Sequence, residues 1–399
     1  MKNDKWKIMR SSLVMKTGKA YDIAVIGAGV FGAWTAYQLQ RAGARVILFD
    51  QYGAGNSRAS SGGETRIMRT GYGPDEIYLR SAQRSLVAWR DLSERSEQTL
   101  FHETGVLWLA RELDSYTIDT VSAFERNGVP FEKLTRSELA QRYPQIELGE
   151  IAWAILEVEG GVLMARQGVR AVSQAAERLG VKYVEEPILP PVRTGKLDSV
   201  VTKAGSSIAA ETFVFACGPW LPKVFPDVLG ELIHVTRQEV FYFRAPEGDS
   251  RFSPPTTPVW IDFNDLVYAI PDVAGQGFKV AIDAHGSEFD PDAGERIATR
   301  EGLEAVRRYL SMRVPILRDA PVVNSEVCQY ENTSNGDFLI DQHPVFENVW
   351  LVGGGSGHGF KHGPAVGEYV ANRILGGGAV EEPRFLLAAK GKTYRRQVY

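Results

Sequence analysis

Hydrophobic positions along the chain switch between two periods. Tyr21 to Ile26 is a short apolar run holding Ile23, Val25 and Ile26, which reads as a buried strand. Ala33 to Ala42 is rich in helix formers and stops at Gly43, and Ala44 to Phe49 predicts a second strand ending on Asp50. Between 74 and 100 the period becomes helical, with Leu79, Ala82, Leu86 and Trp89 on one face. Gly105 to Arg111 alternates as a strand, Thr135 to Tyr143 predicts a short helix and Ile151 to Val158 a strand. Gly160 to Leu163 leads into a helix over Ala165 to Leu179, and strands near Lys182 to Glu186 and Thr212 to Ala216 follow. Leu232 to Tyr268 is mostly strand, with turns at Pro254-Pro255 and Pro258. Residues 299–313 are helical, Val349 to Val352 is a last buried strand, and a helix runs from about Pro364 to Leu375.

Composition narrows the class. With 399 residues, 44% of them hydrophobic, the chain can bury a large core spread over two or three units. A net charge of −4 gives no reason to expect nucleic acid or an anionic membrane, and no apolar run is long enough to span a bilayer. The first twenty residues carry Lys2, Lys5, Lys7, Arg10, Lys16 and Lys19 against Asp4 alone, which reads as a disordered extension rather than a secretory signal. Cys217 and Cys328, 111 positions apart, form no CxxC and no metal-ligand spacing, so a reducing, cytoplasmic setting is expected.

The first strand enters Gly27-Ala28-Gly29-Val30-Phe31-Gly32, and Asp50 follows 23 positions after Gly27. Strand, GxGxxG, helix, strand and acidic residue together form the context of dinucleotide binding. Gly27 permits the tight turn, Gly29 lets the backbone approach a pyrophosphate, and Gly32 allows close helix–strand packing. The helix start at Val30 and Phe31 presents unpaired N–H groups to phosphates, and Asp50 accepts the adenosine ribose hydroxyls. The motif leaves NAD and FAD open. Gln51 to Gly63 is a loop of small residues that ends in Glu64-Thr65-Arg66-Ile67-Met68-Arg69, where an NAD enzyme would continue into another strand–helix unit. Such a loop suits a longer cofactor; the plain alternative for Arg66 and Arg69 is a surface pair on a helix. Val349 to Val352 runs into a second glycine turn, Gly353 to Gly359, again before a helix whose N–H groups can stabilise negative charge. His102, His234 and His343 match no metal or triad pattern.

Several segments resemble the monomeric sarcosine oxidase and N-methyl-amino-acid oxidase group of the glycine and D-amino-acid oxidase superfamily. They are Gly27 to Gly32 with Asp50, Ser61 to Arg69, Thr104 to Leu107, Ala216-Cys217-Gly218-Pro219-Trp220, Cys328-Gln329-Tyr330 and Ser356-Gly357-His358-Gly359-Phe360-Lys361. The resemblance implies a mixed α/β fold, with a Rossmann-like FAD-binding domain interleaved with a smaller substrate domain on a mainly antiparallel sheet. Its expected segments are 20–104, 161–228 and 335–399 for FAD binding, 105–160 and 229–334 for substrate, and 1–19 as the extension.

It further implies FAD as cofactor, contacted by the two glycine motifs, Asp50, Thr65, Arg66, Cys217, Gly218, Trp220 and the Gly357 to Lys361 turn. Cys328 would carry a covalent thioether to the flavin, while Cys217 reads on its own as a buried thiol. Arg69 and Lys361 would grip a substrate carboxylate, Arg66 would lie against the flavin face, and Lys279 would stabilise superoxide as dioxygen is reduced. Tyr268 aligns with a substrate-side tyrosine and Tyr330 lies two residues from Cys328, the plain alternative for each being a core aromatic; His358 aligns with a structural contact at the flavin edge. The chain departs from the pattern after Lys279, where Asp283 stands at an expected histidine and His285 follows two residues on; Asp283-Ala284-His285 is closer to the deglycating fructosyl-amino-acid oxidases. The implied reaction is oxidation of a C–N bond in a small secondary amine or amino acid bearing a carboxylate, with dioxygen giving hydrogen peroxide. The rivals are a dehydrogenase of the same fold using another acceptor, a deglycating fructosyl-amino-acid oxidase and, last, a non-catalytic flavoprotein or NAD-binding module. A monomer is expected, with no nucleic acid, membrane or metal partner.

Overall fold

A computed structural model describes residues 20–393 apart from Leu113, Arg193, Thr194 and Ala379; the extension at 1–19 lies outside the described residues. The chain forms a mixed α/β fold around three sheets. In the first, Tyr21–Ile26 lies between Val46–Asp50 and Ser207–Phe215, parallel to both. Val349–Gly353 continues the sheet on the far side of Ser207–Phe215, and Lys182–Glu185 on the far side of Val46–Asp50. Ile23, Ala24 and Val25 are wholly buried, because helices and loops cover both faces of a parallel sheet and each strand reads as a continuous apolar run. The helices Val30–Arg41 and Gly363–Leu375 pack closely; a Cβ on Gly367 would sit 2.6 Å from the Trp34 backbone.

The second sheet has eight strands, in the order Val322–Thr333, Ile233–Phe243, Phe278–Ile282, Val267–Ile270, Val259–Asp262, Val106–Ala110, Trp153–Glu157 and Phe131–Thr135. Every neighbouring pair is antiparallel except Val259–Asp262 with Val106–Ala110. The helix Arg300–Arg313 presses Val306, Tyr309 and Leu310 onto it, against Trp260 and Phe278. The third sheet is small: Thr65–Met68, Gly161–Met164 and Phe101–His102.

Most predicted elements form within a few residues of their expected ends. Glu76–Ser96 buries Leu79, Ala82, Leu86 and Trp89 on one face, and Arg136–Arg142 starts with a capping box between Thr135 and Glu138. Arg66 is not on a helix: Thr65–Met68 is a strand paired with Gly161–Met164, and Arg69 follows its end. The helix Ser115–Asn127 and the strands Phe131–Thr135, Phe278–Ile282 and Val322–Thr333 carry no prediction. In Val322–Thr333 the reason is local: Val323, Asn324 and Ser325 are exposed, so no clean period develops, and pairing along Ile233–Phe243 holds the strand.

Candidate active site

A cavity of about 310 Å³ opens at the carboxyl ends of the parallel strands, lined there by Ile26, Asp50, Phe215 and Val352. This is where open α/β sheets bind ligands. Gly27 has φ +104 and Gly32 packs so closely that a Cβ there would lie 1.8 Å from the Gly27 carbonyl oxygen. Gly32 therefore supports the turn from behind, while Gly27, Gly29, Val30 and Phe31 line the cavity. A Cβ on Gly29 would meet only Ser61 Oγ, at 3.7 Å, so the backbone there is open to the cavity. No side chain caps the helix at Gly29; Val30 N donates to Ser61 Oγ at 3.2 Å. A glycine backbone open to the cavity at a helix start fits a pyrophosphate. The Asp50 carboxylate accepts from Ala28 N at 2.8 Å and Tyr52 N at 2.9 Å. Burial raises its pKa, against those N–H groups.

Cys217, Gly218 and Trp220 line the same cavity. Burial pushes the Cys217 thiol well up, so it is an inert wall, and Trp220 Nε1 donates to Asp292 Oδ1 at 2.7 Å. Gly357, Gly359 and Phe360 form the opposite wall. Ser356, in the middle of that turn, has φ 45, and its hydroxyl donates to Gly354 O at 3.0 Å.

A second cavity, of about 110 Å³, adjoins the first; Arg66, Tyr330, Gly357 and Phe360 line both. Arg69 and Lys361 lie in its wall, 8% and 4% exposed. Both stand over one ring: the Arg69 guanidinium is 4.3 Å and the Lys361 ammonium 5.2 Å from the Tyr72 centroid. Arg69 donates to Gly71 O, and Lys361 Nζ donates to His358 O at 2.9 Å. Burial and then the Arg69 charge push the Lys361 pKa well down. An anion between these two cations would offset both the burial and their repulsion.

Behind Arg69, buried Glu157 accepts from Thr70 N, from Thr70 Oγ1 at 2.7 Å and from Trp108 Nε1 at 3.4 Å. It holds the backbone that carries the arginine. His358 has both ring nitrogens engaged, Nδ1 with Tyr72 Oη at 3.0 Å and Nε2 with Gly336 O at 3.2 Å, and burial lowers its pKa strongly.

Arg66 donates to Ser60 O at 2.6 Å and to Cys328 Sγ at 3.2 Å, and Cys328 lines the second cavity. Thr65 and Tyr268 line it too. Lys279 is 1% exposed behind them, donating to Thr65 O at 3.1 Å and Thr65 Oγ1 at 3.4 Å. Burial, then Arg66, brings its pKa down to about 7. Asp283 lines the second cavity and accepts from Tyr330 Oη at 2.8 Å. His285, which the resemblance to the deglycating oxidases makes a candidate catalytic residue, lines neither cavity. The strand stops at Ile282, so strand alternation no longer governs where residue 285 falls, and its ring meets the edge of Tyr330 at 5.9 Å.

Sequence reasoning missed Glu157, Glu331 and the Tyr72 seat. The available signal was a lone carboxylate inside an apolar run, Trp153–Glu157, which has to be hydrogen-bonded if buried. Among the described residues no group of His, Cys, Asp and Glu has metal-holding geometry, and no helix is long and apolar enough to cross a membrane.

The family model for FAD-dependent oxidoreductases matches residues 22–373. This chain belongs to that family. It is 28% identical over 371 residues to monomeric sarcosine oxidase of Arthrobacter sp. strain TE1826, covering 91% of this chain and 94% of that protein. It is 30% identical over 356 residues to peroxisomal sarcosine oxidase of Homo sapiens, covering 87% and 90%. The crystal structure of L-proline dehydrogenase from P. horikoshii superposes with a TM-score of 0.81 at 22% identity, over 92% of this chain and 97% of that one. This FAD-dependent oxidoreductase thus carries two adjoining cavities that share Arg66, Tyr330, Gly357 and Phe360.

Proposed function

We propose that this flavoprotein oxidises the C–N bond of a secondary amine or N-substituted amino acid to an imine, with dioxygen as acceptor. FAD, when bound, supplies the chemistry: it accepts a hydride equivalent from the carbon beside nitrogen and passes the electrons to dioxygen, giving hydrogen peroxide. The observation that carries the reading is the pair of buried cations, Arg69 and Lys361, over the Tyr72 ring in a small cavity that adjoins the dinucleotide cavity. A carboxylate between them receives the arginine's rigid fork and the lysine's point charge. That fixes which end of the substrate faces the shared wall at Arg66 and Tyr330. The names of the sarcosine oxidases support the same substrate class.

Arg66 would lie against the cofactor ring, and Cys328, whose Sγ accepts from the Arg66 guanidinium at 3.2 Å, would carry the covalent link to it. Lys279, behind Thr65 and Tyr268, keeps a positive charge near the ring for the step with dioxygen. The strands around Tyr21–Ile26 make the FAD-binding domain and the eight-stranded sheet the substrate domain, in a cytoplasmic monomer. One observation favours a second reading. Asp283, paired with Tyr330, gives the cavity a carboxylate suited to a hydroxyl-bearing substituent, as in a sugar–amino-acid adduct.

Anaerobic addition of N-methyl amino acids, cyclic imino acids and fructosyl amino acids, followed by flavin absorbance, tests both readings. Bleaching by one class names the substrate, and peroxide on readmitting air supports an oxidase. A flavin that none of them bleaches refutes the amine-oxidase reading; bleaching without peroxide leaves a dehydrogenase.

A further inference from the structure

One buried acid has no place in that scheme. Glu331 lies three residues beyond Cys328 on Val322–Thr333 and is 8% exposed. A Cβ on Gly353 would meet its Oε2 at 3.2 Å, and one on Gly355 its Oε1 at 3.3 Å. The N–H groups of Gly355 and Gly354 hydrogen-bond to the carboxyl, yet Oε2 has no hydrogen-bond partner among the described residues. An oxygen left buried and unpaired is destabilising, so it calls for a donor. Glu331 lines the same cavity as Asp50 and Gly29.

Its place along that cavity narrows the donor. Asp50 marks the adenosine end, the open backbone at Gly29 the phosphates, and Cys328 with Arg66 the ring. Three residues of strand put Glu331 about 10 Å along from Cys328. Between ring and pyrophosphate, FAD carries a chain of hydroxyl groups, which are hydrogen-bond donors. We propose that Glu331 is the acceptor for the ribityl hydroxyls of FAD and holds the cofactor in its ionised form. The inference rests on the FAD reading and deepens it.

Burial pushes the Glu331 carboxyl up to about 7, with the N–H groups of Gly355 and Gly354 acting against that. Hydroxyl donors on Oε2 favour ionisation, so FAD binding releases a proton near neutrality. The other titratable groups nearby are Cys217, whose thiol burial keeps protonated, His234 on the adjacent strand, and Tyr330 on its own. Asp50, Arg66, Lys223 and Asp292 line the cavity.

The test uses the full chain carrying Cys328→Ser, so that FAD exchanges, with dissociation constants measured by flavin fluorescence from pH 6 to 8.5. The expected result is weakening by up to about tenfold per unit below pH 7. Adding Glu331→Gln should flatten the profile, leaving the two proteins within about threefold at pH 6 and roughly tenfold or more apart at pH 8.5. Calorimetry of the Cys328→Ser protein in two buffers of different ionisation enthalpy should show proton release, a readout that needs no folded Glu331 variant. An FAD analogue with an alkyl chain in place of the ribityl hydroxyls should bind both proteins alike. Parallel profiles, or proton uptake that places a protonated Glu331 against phosphate, would overturn the inference. No FAD binding at any pH would overturn the cofactor reading and this inference with it.

Discussion

Lys279→Met removes a buried ammonium while nearly conserving volume, and its effects on stability and on activity run in opposite directions. In the folded protein burial, then Arg66, brings the lysine from 10.5 to about 7, with Glu326, Cys328 and Glu64 acting the other way. That fall is worth about 5 kcal/mol against the charged form. Because the folded value lies below the unfolded one, the unfolded chain binds more protons between about pH 7 and 10.5. Stability therefore rises with pH across that window, by up to about 1.4 kcal/mol per unit, and the full cost is present below pH 7. Methionine removes this cost and loses two hydrogen bonds to Thr65, worth about 1 kcal/mol each. The expected balance is a variant more stable by roughly 2 kcal/mol at pH 7, with the gap closing and reversing toward pH 10. Activity should move the other way. Anaerobic bleaching by substrate should stay within about threefold, while the step with dioxygen slows by about 10²–10³. In the wild type that step should weaken as pH rises, with a midpoint no lower than about 7, since negative charge on a reduced ring raises the lysine's pKa. Urea unfolding from pH 6 to 10 and stopped-flow mixing of each half-reaction measure both. Stability curves that stay parallel across pH, or a dioxygen step that Lys279→Met leaves unchanged, would refute the reasoning.

Arg69→Lys keeps the charge and loses the fork, so kcat/KM for a carboxylate substrate should fall about 30-fold or more, while the corresponding methyl ester loses much less. Cys328→Ser should release its flavin into the supernatant on acid precipitation, and wild type should keep its flavin in the pellet. Gly32→Ala drives a methyl group onto the Gly27 carbonyl and should abolish flavin retention, seen as a colourless protein on purification. Oxidation needs the neutral amine, so kcat/KM should rise with pH from mild acid into alkali; a flat profile would contradict that.

What the sequence made legible follows from how locally each feature is determined. Gly27 needs a left-handed backbone and Gly32 a contact that tolerates no Cβ, so their spacing could be read without knowing the fold. The helix Glu76–Ser96 was legible because its inner face meets one apolar surface. The motif marks Arg66 and Arg69 as candidates, and both line the second cavity, yet their i, i+3 spacing is compatible with a helix. Only pairing with Gly161–Met164 makes that segment a strand. Glu331 and Glu157 gave no local signal that names a role, because what matters is which glycine turn or which arginine loop folds against them from elsewhere in the chain. Asp283 and His285 were seen as a departure, and only the end of the strand at Ile282 decides which of them meets the cavity.

Val322–Thr333 has a consequence for how this protein can change. Tyr242 Oη donates to Glu326 beside the buried Lys279, Cys328 touches Arg66, Tyr330 borders both cavities, and the Glu331 carbonyl receives Ser356 N at 3.0 Å. One unbroken strand thus acts as a ruler laid across the site. Gaining or losing a single residue between Glu326 and Glu331 would turn every side chain beyond it to the opposite face. The length of this stretch is therefore as constrained as the side chains it places. Insertions and deletions in descendants of this chain should collect instead at turns such as 244–258, where nothing downstream has to stay in step.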